Sequence, residues 1–383
     1  MALGFVVGAN TSNSLDRVYQ SYSDLFGNSL WAWGFNNEYR LGLNNTTHRS
    51  SPVQVGSLTN WSKIAGGGIH SLATKTDGTL WSWGYGYYGQ LGLNDTTDRS
   101  SPVQVGSLTT WSKVAGGGSH SLAIKTDGTL WSWGSTSNGE TGLGVASVII
   151  KISSPTQVGS LANWSSVDGR SDNSLALKTD GTIWSWGNND KGQLGLNDRT
   201  SRSSPTQVGS LTNWSQVVSG GYHSLALKTD GTLWSWGDHT TGRLGLNDTT
   251  HRSSPVQVGS LTNWSRVASG GSYSLAIKTD GTLWSWGYNS YGNLGLNDIT
   301  HRSSPVQVGT LTNWSQIAGG QYHPLAIKTD GTLWSWGGNN RGQLGQNDIT
   351  HRSSPVQIGS LSNWSLVNSG SYHSLAIQTW PTF

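Results

Sequence analysis

The sequence contains no cysteine and only one methionine. Without thiols the protein cannot form disulfide bonds or bind a metal through thiolates, and cysteine usage does not identify the compartment in which the chain folds. Its stability must therefore come from noncovalent packing and backbone pairing.

Charged residues are also scarce, at 11% of the 383 residues, and the net charge is only +3. This charge is too small to indicate a nucleic-acid partner, and the basic residues are spread along the chain instead of forming a tail. No apolar run approaches the length of a transmembrane helix. The first nine residues contain a short apolar run with no lysine or arginine before it, so we expect neither a secretory signal nor membrane insertion.

Glycine and tryptophan are abundant instead, with 53 and 22 residues, and the tryptophans are periodic. All but one of them belong to seven copies of a segment, about 50 residues long, that fills the chain from Leu30 to Thr379. Each copy has a Trp-x-Trp-Gly motif and a third tryptophan further on. The motif pairs are Trp31/Trp33, Trp81/Trp83, Trp131/Trp133, Trp184/Trp186, Trp234/Trp236, Trp284/Trp286 and Trp334/Trp336. Such a period, with several short strands per unit, is typical of a β-propeller blade.

One part of each copy has the pattern of a β-hairpin. In the third copy, two runs typical of strands, His120–Lys125 and Leu130–Gly134, flank Asp127-Gly128. Asp-Gly tolerates the positive φ values of a tight primed turn. Two further strands, around residues 102–105 and 111–115, give the four strands that a blade needs.

The full series of motifs resembles a known repeat family. It runs from Trp-x-Trp-Gly through Gly-Gln-Leu-Gly and Ser-Ser-Pro-Val-Gln-Val to Val-Ala-Gly-Gly-x-x-His-Ser-Leu-Ala, and is similar to the regulator of chromosome condensation repeat. The resemblance covers about nine tenths of the chain and implies an all-β fold, a single seven-bladed propeller of four-stranded antiparallel blades. Members of that family include a nucleotide exchange factor for a small nuclear GTPase, a bacterial inhibitor of β-lactamases, and bacterial and viral repeat proteins. Fold alone does not fix the function.

The two ends of the repeat region each carry half of one hairpin. Residues 29–34 match the outgoing strand of the hairpin and residues 374–379 match the incoming strand. We therefore expect the carboxy-terminal strand to pair with the first repeat strand and close the ring. The propeller is expected to span residues 27–383, with its last blade split between about 29–67 and 373–379. Residues 1–26 fit the repeat poorly and are predicted to form an arm outside it.

Histidine opens the incoming strand in five copies, at His70, His120, His223, His323 and His373, with Asn173 and Tyr273 in the other two. A ring of imidazoles could bind a metal or anions. The tolerance of Asn and Tyr favours packing, with each histidine hydrogen-bonded to the backbone of a neighbouring blade. The His-Ser dipeptides do not indicate a catalytic pair, because adjacent strand residues point to opposite faces. We expect no catalytic residues, no metal and no cofactor.

A second ring consists of arginines, at Arg49, Arg99, Arg202, Arg252, Arg302 and Arg352. Such a band could contact phosphate, an acidic glycan or an acidic protein. Five of these arginines follow an aspartate by four residues, which favours a local ion pair instead. The Asn-Trp-Ser triplets match glycosylation acceptors, but their tryptophans belong to the repeat and we expect no glycan on them.

The residues after each Trp-x-Trp-Gly motif vary, whereas the rest of the repeat is nearly identical between copies. Several are aromatic, and tyrosine among glycine, serine and asparagine is the composition of recognition loops. Hairpin geometry places these loops on the same face as the Gly-Gly-x-Tyr-His turns, and this face is the predicted partner-binding surface. Its candidate residues are Phe35, Tyr39, Tyr85, Tyr87, Tyr88, His239, Tyr288, Tyr291 and Arg341. The alternative is the face of the Asp-Gly turns, with Lys75, Lys125, Lys228 and Lys278.

The third copy is irregular because it carries an insertion, residues 145–152, rich in β-branched apolar side chains. Such a segment could form an edge that docks another molecule, or it could pack back on its own blade.

These patterns predict a non-enzymatic interaction or assembly module. The resemblance to the repeat family implies the setting, which is a phage or other viral structural component, such as a tail or baseplate subunit, or a microbial recognition protein. The expected partners are other proteins, either viral subunits or a host surface receptor, and the expected location is the virion, or the cytoplasm before assembly. The ring itself is expected to be monomeric, with several copies in a larger assembly. The alternative is a chromatin or small-GTPase regulator, against which stands the absence of a basic tail.

Overall fold

The structure is a computed structural model that describes residues 27–380. Within this range the chain forms seven antiparallel sheets of four strands each. The inner strand of each sheet contacts the inner strand of the next, and the seventh contacts the first, so the predicted all-β, seven-bladed propeller is confirmed. The predicted arm, residues 1–26, lies outside the described residues. Between residues 27 and 380 no helix is long and apolar enough to cross a bilayer.

We number the blades 1 to 7 in the order of their Trp-x-Trp-Gly motifs and the strands in chain order. The inner strands, which line the central channel, are β3 (Trp61–Gly66), β7 (Trp111–Gly116), β11 (Trp164–Arg170), β15 (Trp214–Ser219), β19 (Trp264–Ser269), β23 (Trp314–Gly319) and β27 (Trp364–Ser369). The second strands are β4 (His70–Lys75), β8 (His120–Lys125), β12 (Asn173–Lys178), β16 (His223–Lys228), β20 (Tyr273–Lys278), β24 (Pro324–Lys328) and β28 (His373–Trp380). The third strands are β1 (Gly27–Gly34), β5 (Leu80–Gly84), β9 (Leu130–Thr136), β13 (Ile183–Gly187), β17 (Leu233–Gly237), β21 (Leu283–Gly287) and β25 (Leu333–Gly337). The outer strands are β2 (Arg49–Gln54), β6 (Arg99–Gln104), β10 (Ser147–Gln157), β14 (Arg202–Gln207), β18 (Arg252–Gln257), β22 (Arg302–Gln307) and β26 (Arg352–Gln357).

Blade 1 joins the two ends of the described chain. Strand β28 lies between β27 and β1, and it pairs with β1 from Gly27 opposite Trp380 to Gly34 opposite His373. The predicted closure is therefore confirmed. The bounds of the split blade differ from the expected 29–67 and 373–379, because β3 belongs to blade 2 and β27 completes blade 1. The third tryptophan of each copy begins the inner strand of the following blade, where it pairs with the second strand, as Trp61 does with Lys75.

The two further strands predicted beside the hairpin of the third copy belong to two different blades, because each third tryptophan begins a new blade. Residues 99–104 form the outer strand of blade 2, whereas residues 111–116 form the inner strand of blade 3. The boundary between blades thus falls in the short linker before each third tryptophan.

The Asp-Gly hairpins are present, but their turns differ from the expected type. In blade 3 the amide of Gly128 donates to the carbonyl of Lys125 over 3.0 Å, and Gly128 has a φ of +81°. Asp127 is not among the residues with positive φ, so the turn is a type I turn followed by a left-handed glycine and not a primed turn. The Asp127 carboxylate accepts hydrogen bonds from the amide and the hydroxyl of Thr129, at 2.9 and 2.6 Å.

Hydrophobic clusters fill the space between neighbouring blades. Between blades 2 and 3, Trp111, Trp133 and Ala123 pack against Leu72 and Leu80. The indole N–H of the buried tryptophan in each Trp-x-Trp-Gly motif donates to a main-chain carbonyl of the preceding blade, as Trp133 does to Gln90 over 2.8 Å. The glycine that ends Gly-Gln-Leu-Gly makes room for this ring, because a Cβ on Gly92 would lie 2.9 Å from Nε1 of Trp133. The repeated motifs therefore hold one blade against the next.

Candidate functional site

The histidines at the start of the second strands fasten neighbouring blades together. In blade 2, Nε2 of His70 lies 2.8 Å from Oγ of Ser121 in blade 3, and this hydroxyl donates to the carbonyl of Gln90, 2.8 Å away. Because the carbonyl takes the only hydroxyl hydrogen, Nε2 of His70 must carry a proton and donate it. The other four histidine–serine pairs are His120–Ser174, His223–Ser274, His323–Ser374 and His373–Ser71.

These five pairs form what we call the histidine seam, and it has the geometry of packing rather than of a reaction site. The histidines are fully buried, and each contacts a side-chain hydroxyl instead of the backbone partner that the sequence analysis favoured. Among residues 27–380, no group of three or more His, Asp or Glu side chains is placed to hold a metal ion.

The arginine ring is neutralised locally in five copies, as the spacing indicated. Arg99 lies 2.6 Å from the carboxylate of Asp95, and the same pairing joins Arg202 to Asp198, Arg252 to Asp248, Arg302 to Asp298 and Arg352 to Asp348. Each of these guanidinium groups also donates to a nearby backbone carbonyl, for example Arg99 to that of Thr97 over 2.9 Å. The ring therefore stabilises the loops before the outer strands.

The variable loops and the turns before the second strands lie side by side, as hairpin geometry predicted. In blade 1 the amide of Phe35 donates to the carbonyl of Tyr372 over 2.9 Å, and in blade 7 Gly338 donates to Tyr322 over 2.8 Å. We call the surface formed by these loops and turns the loop face.

The loops of blades 6, 7 and 1 enclose a pocket of about 440 Å³ on the loop face. Its aromatic rings form a continuous row: Tyr291 lies 5.0 Å from Tyr322, Tyr322 lies 6.0 Å from Tyr372, and Tyr372 lies 6.2 Å from Phe35, measured between ring centroids. We call it the loop-face pocket, and its lining residues are Phe35, Tyr291, Tyr322, Gly338, Asn340, Arg341, Gln343 and Tyr372. Three of the candidate residues, Phe35, Tyr291 and Arg341, thus come together from three different blades.

Two arginines place positive charge at this pocket. The guanidinium carbons of Arg40 and Arg341 lie 4.6 and 5.1 Å from the centre of the Phe35 ring. Arg40 is buried, forms an ion pair with Glu38 and donates to the carbonyl of Gly68 over 3.1 Å. Arg341 is exposed, and none of the ion pairs within residues 27–380 includes it. Its charge is therefore available to a ligand.

Two titratable groups at the pocket are held neutral by their surroundings. Burial, followed by the charges of Arg341 and Arg40, lowers the pKa of His48, whose ring lies 4.7 Å from that of Phe35. Burial and the neighbouring Tyr322 raise the pKa of Tyr372. As far as residues 27–380 form it, the pocket at neutral pH therefore offers aromatic faces, phenolic hydroxyls and one free cation, Arg341.

Tyr85, Tyr87 and Tyr88 form a separate cluster on the loop of blade 2. Their ring centroids are 5.2 to 6.1 Å apart, and about half of the Tyr87 side chain is exposed. The ammonium group of Lys151, from the insertion in blade 3, lies 3.3 Å from the centre of the Tyr87 ring.

The insertion therefore packs back on a neighbouring loop and also exposes apolar side chains. It lengthens the outer strand β10 to eleven residues, while Val148 and Ile150 remain 77% and 43% exposed. The insertion thus contacts the loop of blade 2 through Lys151, and the docking of another molecule on its exposed side chains stays a prediction.

The remaining candidates of the loop face differ in exposure. Tyr288 is partly buried and its ring lies 4.9 Å from that of His301 and 6.1 Å from that of Tyr291, so it borders the loop-face pocket. Tyr39 is partly buried and has a φ of +58°, at a position where blade 2 has Gly89 with a φ of +79°. A non-glycine residue in this region is strained, and the strain in blade 1 lies next to the pocket.

His239 is not a surface residue, so the prediction that it contacts a partner is wrong. It is fully buried, and its Nδ1 accepts a hydrogen bond from the amide of Leu244 over 3.0 Å. In blade 6 the side-chain oxygen of Asn289 accepts the equivalent bond from Leu294 over 2.8 Å. The second residue after the Trp-x-Trp-Gly motif is therefore a buried position that holds the loop closed. Its variation in residue type does not indicate exposure.

We expect His239→Asn to retain stability, because asparagine supplies the same acceptor in blades 1, 4, 6 and 7. His239→Ala leaves the Leu244 amide without an acceptor and should lower the free energy of unfolding by about 1–3 kcal/mol. Urea denaturation of the two variants measures the difference. Equal stability of the alanine and asparagine variants would contradict this role.

Two residues of the pocket, Tyr322 and Tyr372, were not among the candidates. They belong to the turns before the second strands, whose Gly-Gly-x-Tyr-His motif indicates the loop face but does not show which tyrosines line a pocket. The available signal was tyrosine before the histidine of the incoming strand, which occurs in blades 5, 7 and 1 as Tyr222, Tyr322 and Tyr372.

The lysines on the face of the Asp-Gly turns already contact tryptophan rings of the protein. Nζ of Lys75, Lys125, Lys228 and Lys278 lies 3.6 to 3.8 Å from the ring centre of the first tryptophan of the motif in its own blade. A cation held over an indole face loses part of its attraction for an external acid. The turn face is therefore the weaker of the two candidate surfaces.

Solved structures of the same architecture include human WBSCR16, with 24% identity over 92% of this chain and 99% of that chain and a TM-score of 0.84. Prp20p from Saccharomyces cerevisiae has 23% identity over 95% of both chains and a TM-score of 0.82. At these identities the likeness concerns the fold. No curated protein matches the chain.

Sequence models of the repeat identify the family. The RCC1-like domain matches residues 171–380, and the regulator of chromosome condensation (RCC1) repeat matches residues 28–74 and 77–124. A second RCC1 repeat model matches residues 61–90 and 111–140. Together with the seven blades and their shared motifs, these matches show that the chain belongs to the RCC1-like repeat family.

Proposed function

We propose that this protein is a non-enzymatic interaction module that binds a segment of a partner protein in the loop-face pocket. The observation that carries the proposal is the row of Tyr291, Tyr322, Tyr372 and Phe35 beside the unpaired Arg341, assembled from three blades. Aromatic side chains and arginine dominate the binding energy of protein interfaces, and the aromatic ones bury a large area at a low cost in rotamer entropy.

The chemistry of the pocket defines the segment that would fit. The aromatic faces suit an apolar or aromatic side chain, and Arg341 suits a carboxylate within reach of that side chain. The buried Arg40 and its partner Glu38 are already paired, so they hold Phe35 in place and add little to the binding of an acid. A short acidic segment with one apolar anchor is therefore the expected ligand.

The finer proposal concerns the biological setting. Near-identical repeats and a rigid closed ring suit an assembly subunit, and we propose a viral particle, such as a phage tail, as its setting, with viral subunits or a host surface receptor as partners. Mass spectrometry of purified particles tests this. Absence of the protein from particles, together with its presence in the soluble fraction of infected cells, would exclude a virion role.

The alternative partner class comes from a structural relative. Prp20p is described by its binding to Gsp1p and histones, and the shared fold alone connects it to this chain. A nucleotide-release assay with a purified small GTPase separates the two functions. Accelerated release would favour the GTPase regulator over a peptide-binding module.

The pocket itself is tested with a displayed peptide library selected on the purified protein. We expect enriched peptides to combine an acidic residue with an apolar or aromatic one. Replacing Tyr291 and Tyr372 with serine, or Arg341 with alanine, should weaken their binding about tenfold or more. Binding is measured by fluorescence anisotropy with a labelled peptide.

The control is Tyr222→Ser, because Tyr222 occupies the same repeat position in blade 5, is 49% exposed and lies outside the pocket. A triple replacement of Tyr85, Tyr87 and Tyr88 with serine tests the second aromatic cluster in the same assay. Unchanged affinity in the pocket variants, or an equal loss in the Tyr222 variant, would contradict the assignment.

A further inference from the structure

The fourth copy departs from the others where the chain lines the central channel. The other six copies have glycine three residues before the position of the histidine, as in Gly116-Gly117-Gly118-Ser119-His120, whereas blade 4 has Gly169-Arg170-Ser171-Asp172-Asn173. Arg170 thus occupies the position of Gly117, and Asn173 occupies that of His120.

These two replacements depend on each other for steric reasons. A Cβ added to Gly117 would lie 2.0 Å from Cε1 of His120, and one added to Gly67 would lie 2.3 Å from Cε1 of His70. Any side chain at this position therefore collides with the histidine of its own blade. The shorter Asn173 removes the ring and allows Arg170 to enter the channel.

The replacement of the histidine by Asn173 removes a stabilising contact between blades 4 and 5. Asn173 donates to Oγ of Ser219 over 2.9 Å, while Oγ of Ser224 keeps its bond to the carbonyl of Gln193 without a histidine donor. The histidine seam is therefore interrupted between blades 4 and 5. The histidine is also replaced in blade 6, by Tyr273, but the glycine at the position of Arg170 is replaced in blade 4 alone, which points to a function for the arginine.

Arg170 spans the channel from blade 4 to the opposite side of the ring. Its Nη1 donates to the carbonyl of Gly319 in blade 7 over 2.5 Å and lies 3.4 Å from that of Ser269 in blade 6. The side chain faces the space of the channel, but its Nη2 is buried and has no hydrogen-bond partner. Oγ of Ser369, which lines the same channel, is also buried without a partner.

Within residues 27–380 no carboxylate lies in ion-pair contact with Arg170, although the charge of Asp168 attracts it at longer range. None of the ion pairs within residues 27–380 includes this residue. The one carboxylate lining the same channel is Asp168, and its Oδ2 accepts the amide of Ser219 over 2.7 Å. A guanidinium group with a buried, unsatisfied N–H carries a large desolvation cost, and an anion would offset it.

We propose that the central channel binds a small anion through Nη2 of Arg170, with the hydroxyl of Ser369 as a second donor in the same cavity. The channel cavity, about 280 Å³, accommodates a chloride ion or an oxyanion up to the size of phosphate together with water. The ligand class is thus a small inorganic anion, and this site is separate from the loop-face pocket.

The site is tested by thermal denaturation in sodium chloride, nitrate or phosphate, each compared with sodium gluconate at equal ionic strength. We expect the Tm to rise with the logarithm of the concentration of the anion that binds, since a ligand specific for the folded state stabilises it by mass action. The series separates a halide site from an oxyanion site. In Arg170→Gln the apparent affinity should fall about tenfold or more.

Two further variants use residues that the chain itself employs in other blades. The double variant Arg170→Gly with Asn173→His restores the pattern of the other copies and should fold while losing the anion response. Asp168→Asn copies Asn368, whose Oδ1 accepts the amide of Gly66 over 2.8 Å, and should strengthen the response by removing the carboxylate. A general effect of salt would shift the Tm of all variants equally, so a difference between the variants reports on the site.

A direct readout is the anomalous signal of bromide in crystals, which should place an ion beside the guanidinium group of Arg170. If the wild-type protein responds to anions no more than the double variant does, Arg170 is only a brace across the channel and the proposal is wrong. A bromide site elsewhere, with none in the channel, would overturn it equally.

Discussion

Deletion of residues 373–383 is expected to abolish the cooperative folding of the ring. Strand β28 lies between β27 and β1, so its loss exposes two unpaired strand edges and separates blade 1 into unconnected parts. It also removes Leu375 and Ile377 from the hydrophobic cluster between blades 1 and 2. The truncated chain should show no sharp melting transition by circular dichroism and should elute as aggregates from a sizing column.

The matched control is a chain that ends at Trp380, because it keeps the whole of β28. A melting temperature of the 373–383 deletion within a few degrees of this control would show that the ring does not depend on its closing strand.

The framework of this fold could be predicted from the sequence because each repeated motif has one structural task. Trp-x-Trp-Gly supplies the third strand of each blade and the buried ring that fastens it to the preceding blade, as Trp133 shows. The half-hairpins at residues 29–34 and 374–379 predicted the closing partners correctly. Local pattern and long-range pairing therefore agree at every blade.

The blade boundaries could not be read from the motifs alone. Each linker joins an outer strand to the next inner strand, and periodicity does not show which of the two begins a new sheet. The turn type was also mistaken, because Asp-Gly suits a primed turn and equally a type I turn with a left-handed glycine, and the φ of Asp127, which is not positive, separates them.

The geometry of the candidate surface was predicted in part, and its binding of a partner stays a prediction. The loops and turns were placed on one face, but sequence position gives no information about which loops of neighbouring blades converge. Tyr322 and Tyr372 come from turns and Phe35 from a loop, and only the ring geometry joins them in one pocket. His239 was misassigned because a buried loop position also varies in residue type when different side chains supply the same acceptor.

The histidine seam makes the stability of the ring dependent on pH. Burial lowers the pKa of His70, His120 and His323 to about 3, and it lowers that of His223 and His373 well below the ordinary value. The folded protein therefore holds these imidazoles neutral, whereas the unfolded chain takes up protons near pH 6.5. Their contribution to stability is present above pH 6.5 and is lost progressively as the pH falls from 6.5 towards 3.

We expect the free energy of unfolding to decrease steeply between pH 6.5 and 5. A histidine with a folded pKa of about 3 loses about 2 kcal/mol of stability by pH 5, so His70, His120 and His323 together lose about 6 kcal/mol. Burial raises the pKa of Asp168 to about 6 and also raises those of Glu140 and Asp172, which acts in the opposite direction, but the shift of Asp168 is smaller than that of each of these three histidines. Urea unfolding followed by tryptophan fluorescence at several pH values measures the slope.

The test variant is His70→Asn, which copies the residue that blade 4 carries at Asn173. Removing one buried histidine should reduce the slope of the unfolding free energy by up to about 1.4 kcal/mol per pH unit in this range. Leu211→Ala is the control, because Leu211 is exposed, carries no titratable group and its loss should leave the slope unchanged. Equal slopes in the wild-type protein and in His70→Asn would mean that the folded state can hold a protonated His70, with the added proton on Nδ1, because Nε2 already carries the proton that it donates to Ser121.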